Sequence, residues 1–389
     1  LLHNCLEQAV AERLILSNPA QGCKLPQLEK REMKILPQEK IGLYLAEAEK
    51  RGLLAAFYLE LTTGLRRGEL LALQWTDLDA DTNICAVILN YNDAQTTMKL
   101  TESWKNSKVI RNIIIVDNCS TDDSWEKLGE FKEEFASDHP DDPDKVQLHL
   151  FRTTENGGYG SGNQAGIDYA VQYLEPDYII IANPDVQVSD ACILRVADAL
   201  EKQEDGAVAS AMVVDVKGQS SFSYWDLQSV WLDLLDTGLV TRRLFRAFLK
   251  TPLEKLPLAA DGVSRMVGAL PGSFFMVKTG CFTPGDLKEL FDKHVFLYYE
   301  EKILGQKLKQ MGLKELLVTD AYYVHAHSVS IDKSYTKISD KQKLLHKSKL
   351  YYYQHYLKLG EMELAVAKAF LAVVLTEVKF LTGVLKMRW

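Results

Sequence analysis

The sequence is poor in the features that mark secreted, membrane-spanning or nucleic-acid-binding chains. Six cysteines in 389 residues, at positions 5, 23, 85, 119, 192 and 281, form no Cys-x-x-Cys pair. That scatter supplies neither a zinc cluster nor a disulfide framework, and it fits a reducing, cytoplasmic compartment. Apolar runs are short. Ala369–Leu375 is as long as they become, far below the ~18 residues of a spanning helix. Positive charge is not in excess either: 45 Lys and Arg stand against 53 Asp and Glu, a net charge of −8. This argues against a chain-wide basic face for nucleic acid. No internal repeat or low-complexity tract is visible. What remains, 47% hydrophobic and 25% charged, is the composition of an ordinary globular protein of two or three domains.

Three textures follow one another. Residues 1–82 read as helical: Ala9, Val10, Leu14 and Leu16 precede a stop at Asn18-Pro19, and amphipathic stretches run over Pro37–Arg51 and Leu53–Trp75. From Asn83 short Ile- and Val-rich runs alternate with helical segments. Ile84–Leu89, Val109–Val116, Val146–Phe151 and Tyr178–Ala182 are predicted strands. Thr96–Ser107, Asp123–Ala136 and Gly162–Leu174 are predicted helices. Continuous apolar strands separated by helices imply an α/β fold with a mainly parallel sheet flanked by helices. The tail, Glu361–Trp389, is one long helical pattern carrying Lys368, Lys379, Lys386 and Arg388. It fits a helix packed on its own domain, or one lying on an anionic membrane.

In open α/β sheets ligands bind beyond the carboxyl ends of the strands. The four predicted strands are followed by Asn90-Tyr91-Asn92-Asp93, by Asp117-Asn118-Cys119-Ser120-Thr121-Asp122, by Asn156-Gly157-Gly158-Tyr159-Gly160-Ser161-Gly162-Asn163, and by Asn183-Pro184-Asp185-Val186. Each has a plain structural explanation: Asp117, Asn118 and Ser120 suit a helix cap, the glycines a loop, and Asn183-Pro184-Asp185 a turn. The glycines fit neither a G-x-G-x-x-G fingerprint nor a P-loop. Their absent side chains would let the backbone approach a ligand and turn into a helix near Gly162.

Taken as a set, these four segments resemble the family 2 glycosyltransferases, especially the bacterial rhamnosyltransferase-like branch with its GT-A fold. Leu270-Pro271-Gly272-Ser273-Phe274-Phe275-Met276-Val277, Phe296-Leu297-Tyr298-Tyr299-Glu300-Glu301, and His325 and His327 with Ser328 and Ser330 extend the resemblance. It covers residues 83–355, with 356–389 as a C-terminal amphipathic helix. The resemblance implies an inverting transfer of a sugar, with rhamnose as a candidate, from a nucleoside-diphosphate sugar to a glycan or lipid-linked acceptor in surface polysaccharide synthesis. The implied place is the cytoplasm, with peripheral contact at the inner face of the membrane. Asn90, Tyr91, Asp117, Asn118, Ser120, Asn156, Gly157, Gly158, Gly160, Asn163 and Asn183 would then surround the nucleotide sugar. Asp185, with His325 or His327, would hold Mg²⁺ or Mn²⁺, a hard cation suited to oxygen ligands and diphosphate. Glu301, beside Glu300, stands where the family usually has the Asp of a Glu-Asp pair, the general base, and Ile303 replaces an acid often found two residues later. Glu is chemically competent as a base. A Glu pair at a helix start and a core histidine are the structural alternatives.

The N-terminal stretch carries a different resemblance. Thr62-Thr63-Gly64-Leu65-Arg66-Arg67-Gly68-Glu69-Leu70-Leu71-Ala72-Leu73-Gln74-Trp75, followed by Asp77 and Asp79, is similar to the first active-site segment of tyrosine recombinases. Arg66 would there clamp a DNA phosphate. The later Lys, His-x-x-Arg box and nucleophilic Tyr of that family have no counterpart, and residues 1–82 hold ten Lys and Arg against twelve Asp and Glu. Residues 1–82 are therefore read as a truncated recombinase-like fragment, with a DNA-binding protein as the alternative function and no strand cleavage expected.

Overall fold

The computed structural model describes residues 2–22, 40–51, 82–137, 145–326 and 338–383, together with the isolated positions 37, 53, 56, 57, 60, 61 and 68. Arg66, His327, most of Leu53–Trp75 and the tail beyond residue 383 lie outside these. The chain divides into two compact units, Leu1–Leu78 and Asp79–Trp389. The first contains helices α1 (Leu2–Ala11) and α2 (Ile41–Lys50).

The second unit is a mixed α/β fold. In chain order its elements are β1 (Ile84–Asn90), α3 (Ala94–Trp104), β2 (Ile110–Asp117), α4 (Ser124–Ser137), β3 (Gln147–Arg152), α5 (Gly158–Tyr173), β4 (Tyr178–Ala182), β5 (Val186–Gln187), α6 (Asp190–Lys202) and β6 (Gly206–Val214). Then come α7 (Val230–Leu235), α8 (Leu239–Phe245), β7 (Arg265–Val267), β8 (Phe274–Lys278), α9 (Glu300–Met311), β9 (Lys314–His325), α10 (Ile338–His355) and α11 (Glu361–Gly383). Among the described residues the strands form one nine-stranded sheet in the order β3-β2-β1-β4-β8-β6-β9-β5, with β7 paired to β9.

The first four strands are parallel, as their apolar runs imply: Cys85, Ala86, Val87 and Ile88 of β1 and Ile113, Ile114, Ile115 and Val116 of β2 are wholly shielded on both faces. Beyond β4 the predicted parallel order gives way to a mixed one. β8 runs antiparallel to β4 and to β6, while β9 runs parallel to β6. This reversal matters for the site, because an antiparallel β8 begins where β4 ends. Ala182 faces Phe274, so the Pro271–Ser273 loop lies beside Asn183.

Two cores flank the sheet. Leu100, Trp104, Leu128, Ile193 and Val196 from α3, α4 and α6 fill one face. Ile167, Ala170, Leu304 and Leu308 from α5 and α9 fill the other. A third cluster joins α7, α9, α10 and α11 through Leu234, Tyr299, Ile303, Tyr352, Tyr353, Ala367 and Leu371.

The glycine run corrects an expectation. Helix α5 begins at Gly158, not near Gly162, so the glycines are its first turns. A β-carbon on Gly162 would sit 2.4 Å from a methyl of Leu89, and one on Gly166 2.3 Å from a methyl of Val87. Gly158, at φ +89°, abuts the carbonyl of Phe296, where a β-carbon would come within 2.0 Å. These absent side chains let α5 press on β1 and on the segment before α9. Close packing accounts for Gly158, Gly162 and Gly166.

Candidate active site

The register of the parallel strands builds the first part of the site. Asn90 pairs with Asp117 across β1 and β2, and Asp117 with Arg152 across β2 and β3, so the three stand in one row at the carboxyl edge. Asn90 Nδ2 donates to Asp117 Oδ1 at 2.8 Å, the Ser120 hydroxyl donates to the same oxygen, and Arg152 Nε lies 3.1 Å from Oδ2. Thr97 donates to Asn90 Oδ1 at 2.9 Å. The Asp117 carboxylate is therefore fully enclosed and holds the loop together. The guanidinium of Arg152, about one-third exposed and lying over the Trp125 ring, is the group in this row that faces outward. Sequence reasoning passed over Arg152, although its place directly after the apolar Phe151, at a strand end, was the available signal.

The neighbouring loops are tied in by the same chemistry. Asn118 Nδ2 donates to Asn156 Oδ1 (3.0 Å) and to the Gly158 carbonyl (3.1 Å), and Asn156 Oδ1 accepts from the Gly158 N–H. Tyr91, Asn156 and Gly157 are half-buried on this edge. Gly160 and Asn163 instead turn inward: Gly160 packs on Phe291, and buried Asn163 donates to the Tyr159 carbonyl.

The second part lies at the end of β4. Val186 of β5 pairs with His325 of β9, and the Ala326 N–H donates to the Asp185 carbonyl at 3.0 Å. This places His325 Nε2 3.4 Å from Asp185 Oδ1, both side chains retaining partial exposure. A carboxylate and an imidazole on adjacent strand ends are fit ligands for a hard-to-borderline divalent cation. Among the described residues no group of three or more His, Cys, Asp or Glu side chains is arranged to hold a metal by itself. A cation here would need oxygens from a substrate or water to complete its shell.

The third part is the start of α9. The Asn183 N–H donates to the Ser273 carbonyl at 2.8 Å. The adjacent Gly272 sits against Glu301, whose Oε1 would be 3.0 Å from a β-carbon placed on that glycine, and Tyr159 donates its hydroxyl to the Gly272 carbonyl. The Pro271–Ser273 loop thus bridges the Asn183–Asp185 turn to Glu301. Glu300 and Glu301 differ in access. Glu300 is 4% exposed, with an Oε1 that has no hydrogen-bond partner, whereas Glu301 is half-buried. Burial raises both carboxyls, Glu300 well above the usual carboxylate range with the charge of Glu301 adding to it. The Gly272 N–H donates to Glu301 and moderates its shift. A half-buried carboxyl whose pKa is raised is a stronger base than an ordinary glutamate.

Strained backbone collects at these loops. Asn92 (φ 53°), Cys119 (φ 57°), Tyr298 (φ 70°) and Tyr299 (φ 74°) are all left-handed non-glycine residues, each costing about 1–3 kcal/mol unless the surroundings enforce it. The enforcement at Tyr299 is a buried charge network absent from the sequence reading. The Tyr299 and Tyr353 hydroxyls donate to Asp233 Oδ2 at 2.5 and 2.7 Å, Lys302 contacts Oδ1, and Lys349 Nζ lies 3.2 Å from Oδ2. Burial pulls Lys349 down to about 8, against the opposing pull of Asp233. Asp233, though buried, stays well below the carboxylate range because both lysines outweigh its desolvation.

The carboxyl edge of the sheet thus gathers polar loops, a carboxylate–imidazole pair and a half-buried carboxyl with a raised pKa on one mixed α/β fold. Residues 85–254 match the family described as Glycosyl transferase family 2. Over 203 residues it is 27% identical to the N-acetylglucosaminyl-diphospho-decaprenol L-rhamnosyltransferase of two strains of Mycobacterium tuberculosis, covering 48% of this chain and 61% of that one. The chain thus spans about three-fifths of the length of these relatives. Among solved structures, the mannosyltransferase PcManGT from Pyrobaculum calidifontis with GDP-Man and Mn²⁺ is 14% identical, covering 87% of this chain and 83% of that one at a TM-score of 0.43. GalNAc-T7 with UDP, GalNAc and Mn²⁺ is 16% identical, covering 64% and 44%, at a TM-score of 0.44.

Proposed function

We propose that the protein is an inverting glycosyltransferase that moves a sugar from a nucleoside-diphosphate donor to a glycan or lipid-linked acceptor in surface polysaccharide synthesis. By likeness to the mycobacterial relatives, the donor sugar is rhamnose and the acceptor a sugar on a polyprenyl diphosphate. The work is done in the cytoplasm at the inner face of the membrane. The observation that carries the reading is the continuity from Asp185–His325 through Asn183 and the Pro271–Ser273 loop to Glu301.

In this reading the loops after β1, β2 and β3 hold the nucleoside, with Arg152 as the outward-facing cation. Asp185 and His325 would hold a Mg²⁺ or Mn²⁺ ion, which would supply charge neutralisation for the leaving diphosphate. Glu301 takes the proton from an acceptor hydroxyl as that oxygen bonds to the anomeric carbon. The bond from that carbon to the phosphate oxygen breaks on the opposite side, so nucleoside diphosphate departs and the configuration inverts. The Gly272 N–H orients the Glu301 carboxylate, and Tyr159 fixes Gly272 by donating to its carbonyl.

The test is nucleoside-diphosphate release from a panel of UDP-, dTDP- and GDP-sugars, with and without Mn²⁺. One donor turned over in the presence of metal supports the reading. Inertness toward every donor, with and without an acceptor glycolipid, overturns it.

A further inference from the structure

Segment 239–250, Leu-Val-Thr-Arg-Arg-Leu-Phe-Arg-Ala-Phe-Leu-Lys, carries four basic residues and no acidic one, in a chain of net charge −8. It folds as α8 followed by a 3₁₀ turn over Arg246–Phe248, and neither buries a single residue. Val240, Leu244 and Phe248 are 59%, 73% and 74% exposed. Large apolar side chains in such a row are rarely left in water without a partner. Arg242, Arg243 and Arg246 alternate with them and are themselves exposed.

Helix α11 lies against the start of α8. The Val240 N–H donates to Glu377 at 3.1 Å, and a β-carbon on Gly238 would lie 3.3 Å from Val374, so α8 begins against α11. α11 buries Ala367, Leu371, Val374 and Val378 against its own unit. Its other side leaves Met362, Val366, Val373 and Phe380 exposed, at intervals of four and seven residues, with exposed Lys368 and Lys379 between them. Among the described residues this helix is apolar on both sides but covered on one.

We infer that this joint face of α8 and α11 docks on an anionic phospholipid surface. The charge pattern of residues 239–250 selects that occupant, while α11, whose Lys368 and Lys379 are offset by Glu361, Glu363 and Glu377, contributes apolar surface. The cores of protein–protein interfaces are depleted of charge, whereas interfacial helices set apolar side chains below lipid headgroups and basic ones among them. Among the described residues no helix is long and apolar enough to cross a membrane, so the contact is one of lying on the surface. The inference rests on the proposed function only in that a lipid-linked acceptor gives the contact its use. Vesicle binding needs no transfer, so either can fail alone.

The experiment is flotation of the full chain with phosphatidylcholine vesicles, with and without phosphatidylglycerol. The wild type is expected to float with the anionic vesicles, less so as salt rises, and not with the neutral ones. Arg243→Glu with Arg246→Glu, and separately Phe248→Asp, are expected to weaken binding about tenfold or more with an unchanged circular dichroism spectrum. Arg243→Lys with Arg246→Lys is expected to retain it. Absence of binding, equal binding to both vesicle types, or variants that bind like the wild type would overturn the inference. So would a dimer in analytical ultracentrifugation that Phe248→Asp dissolves, because that assigns the face to a second copy of the chain.

Discussion

The imidazole of His325 lies 3.4 Å from the carboxylate of Asp185, brought there by the short pairing of Val186 with His325 at the end of a twelve-residue strand. If the two hold a cation with the donor diphosphate, removing either should act through the metal. Asp185→Asn is expected to lower turnover on the order of 10²–10³-fold, and His325→Ala to raise the Mn²⁺ concentration needed for half-maximal rate. Chelation should abolish release of nucleoside diphosphate, and added Mn²⁺ should restore it.

The contact between α5 and β1 leaves no room for side chains. Gly166→Ala is expected to destabilise the domain by about 1–3 kcal/mol, the usual range for overpacking a dense core. Its β-carbon would otherwise meet Val87 at 2.3 Å. Urea unfolding followed by fluorescence checks this. Gly129, in α4 with open space around it, serves as the control: Gly129→Ala should be neutral or stabilising.

Asp233 holds two buried lysines and two tyrosines. Asp233→Asn would leave Lys302 and Lys349 without their counter-charge, and a loss of about 3–5 kcal/mol is expected. The pH dependence follows from the depressed folded-state value of Asp233. Its stabilisation is fully present above the unfolded carboxylate value of about 3.9 and fades as pH falls through the lower folded one. Unfolding midpoints measured from pH 7 downward should show wild type and Asp233→Asn converging in acid.

The sequence made one half of the sheet legible and hid the other. β1, β2 and β4 are apolar runs because both their faces are covered, and composition alone reveals that, whereas β3, Gln-Leu-His-Leu-Phe-Arg, is a partly exposed edge strand. β6, Gly-Ala-Val-Ala-Ser-Ala-Met-Val-Val, is as deeply buried but rich in small residues that suit a helix equally well. The antiparallel placement of β8 is a matter of chain reversal, which periodicity does not encode. The same limit applies at the site. Strand ends announced Asn90, Asp117 and Asp185, since polar residues directly after apolar strands fall on one edge. The partners that enclose Asp117 and fix Glu301 are set by register and by distant helices. Arg152 reaches Asp117 through a strand pairing, and Asp233 reaches Tyr299 and Lys349 through helices with no local signature. The glycine run was visible, but its packing was not, because Leu89 and Phe296, which Gly162 and Gly158 meet, are far away in sequence.

The most direct measurement is turnover set beside donor affinity in a single variant, Glu301→Gln. The expected result is a fall in kcat of about 10²–10⁴-fold with the Kd for the nucleotide sugar unchanged. In the wild type, the acid limb of the rate should lie above the ordinary glutamate value of about 4.3, because burial keeps Glu301 protonated to higher pH and a protonated base is inactive. Turnover in Glu301→Gln equal to that of the wild type would contradict the account.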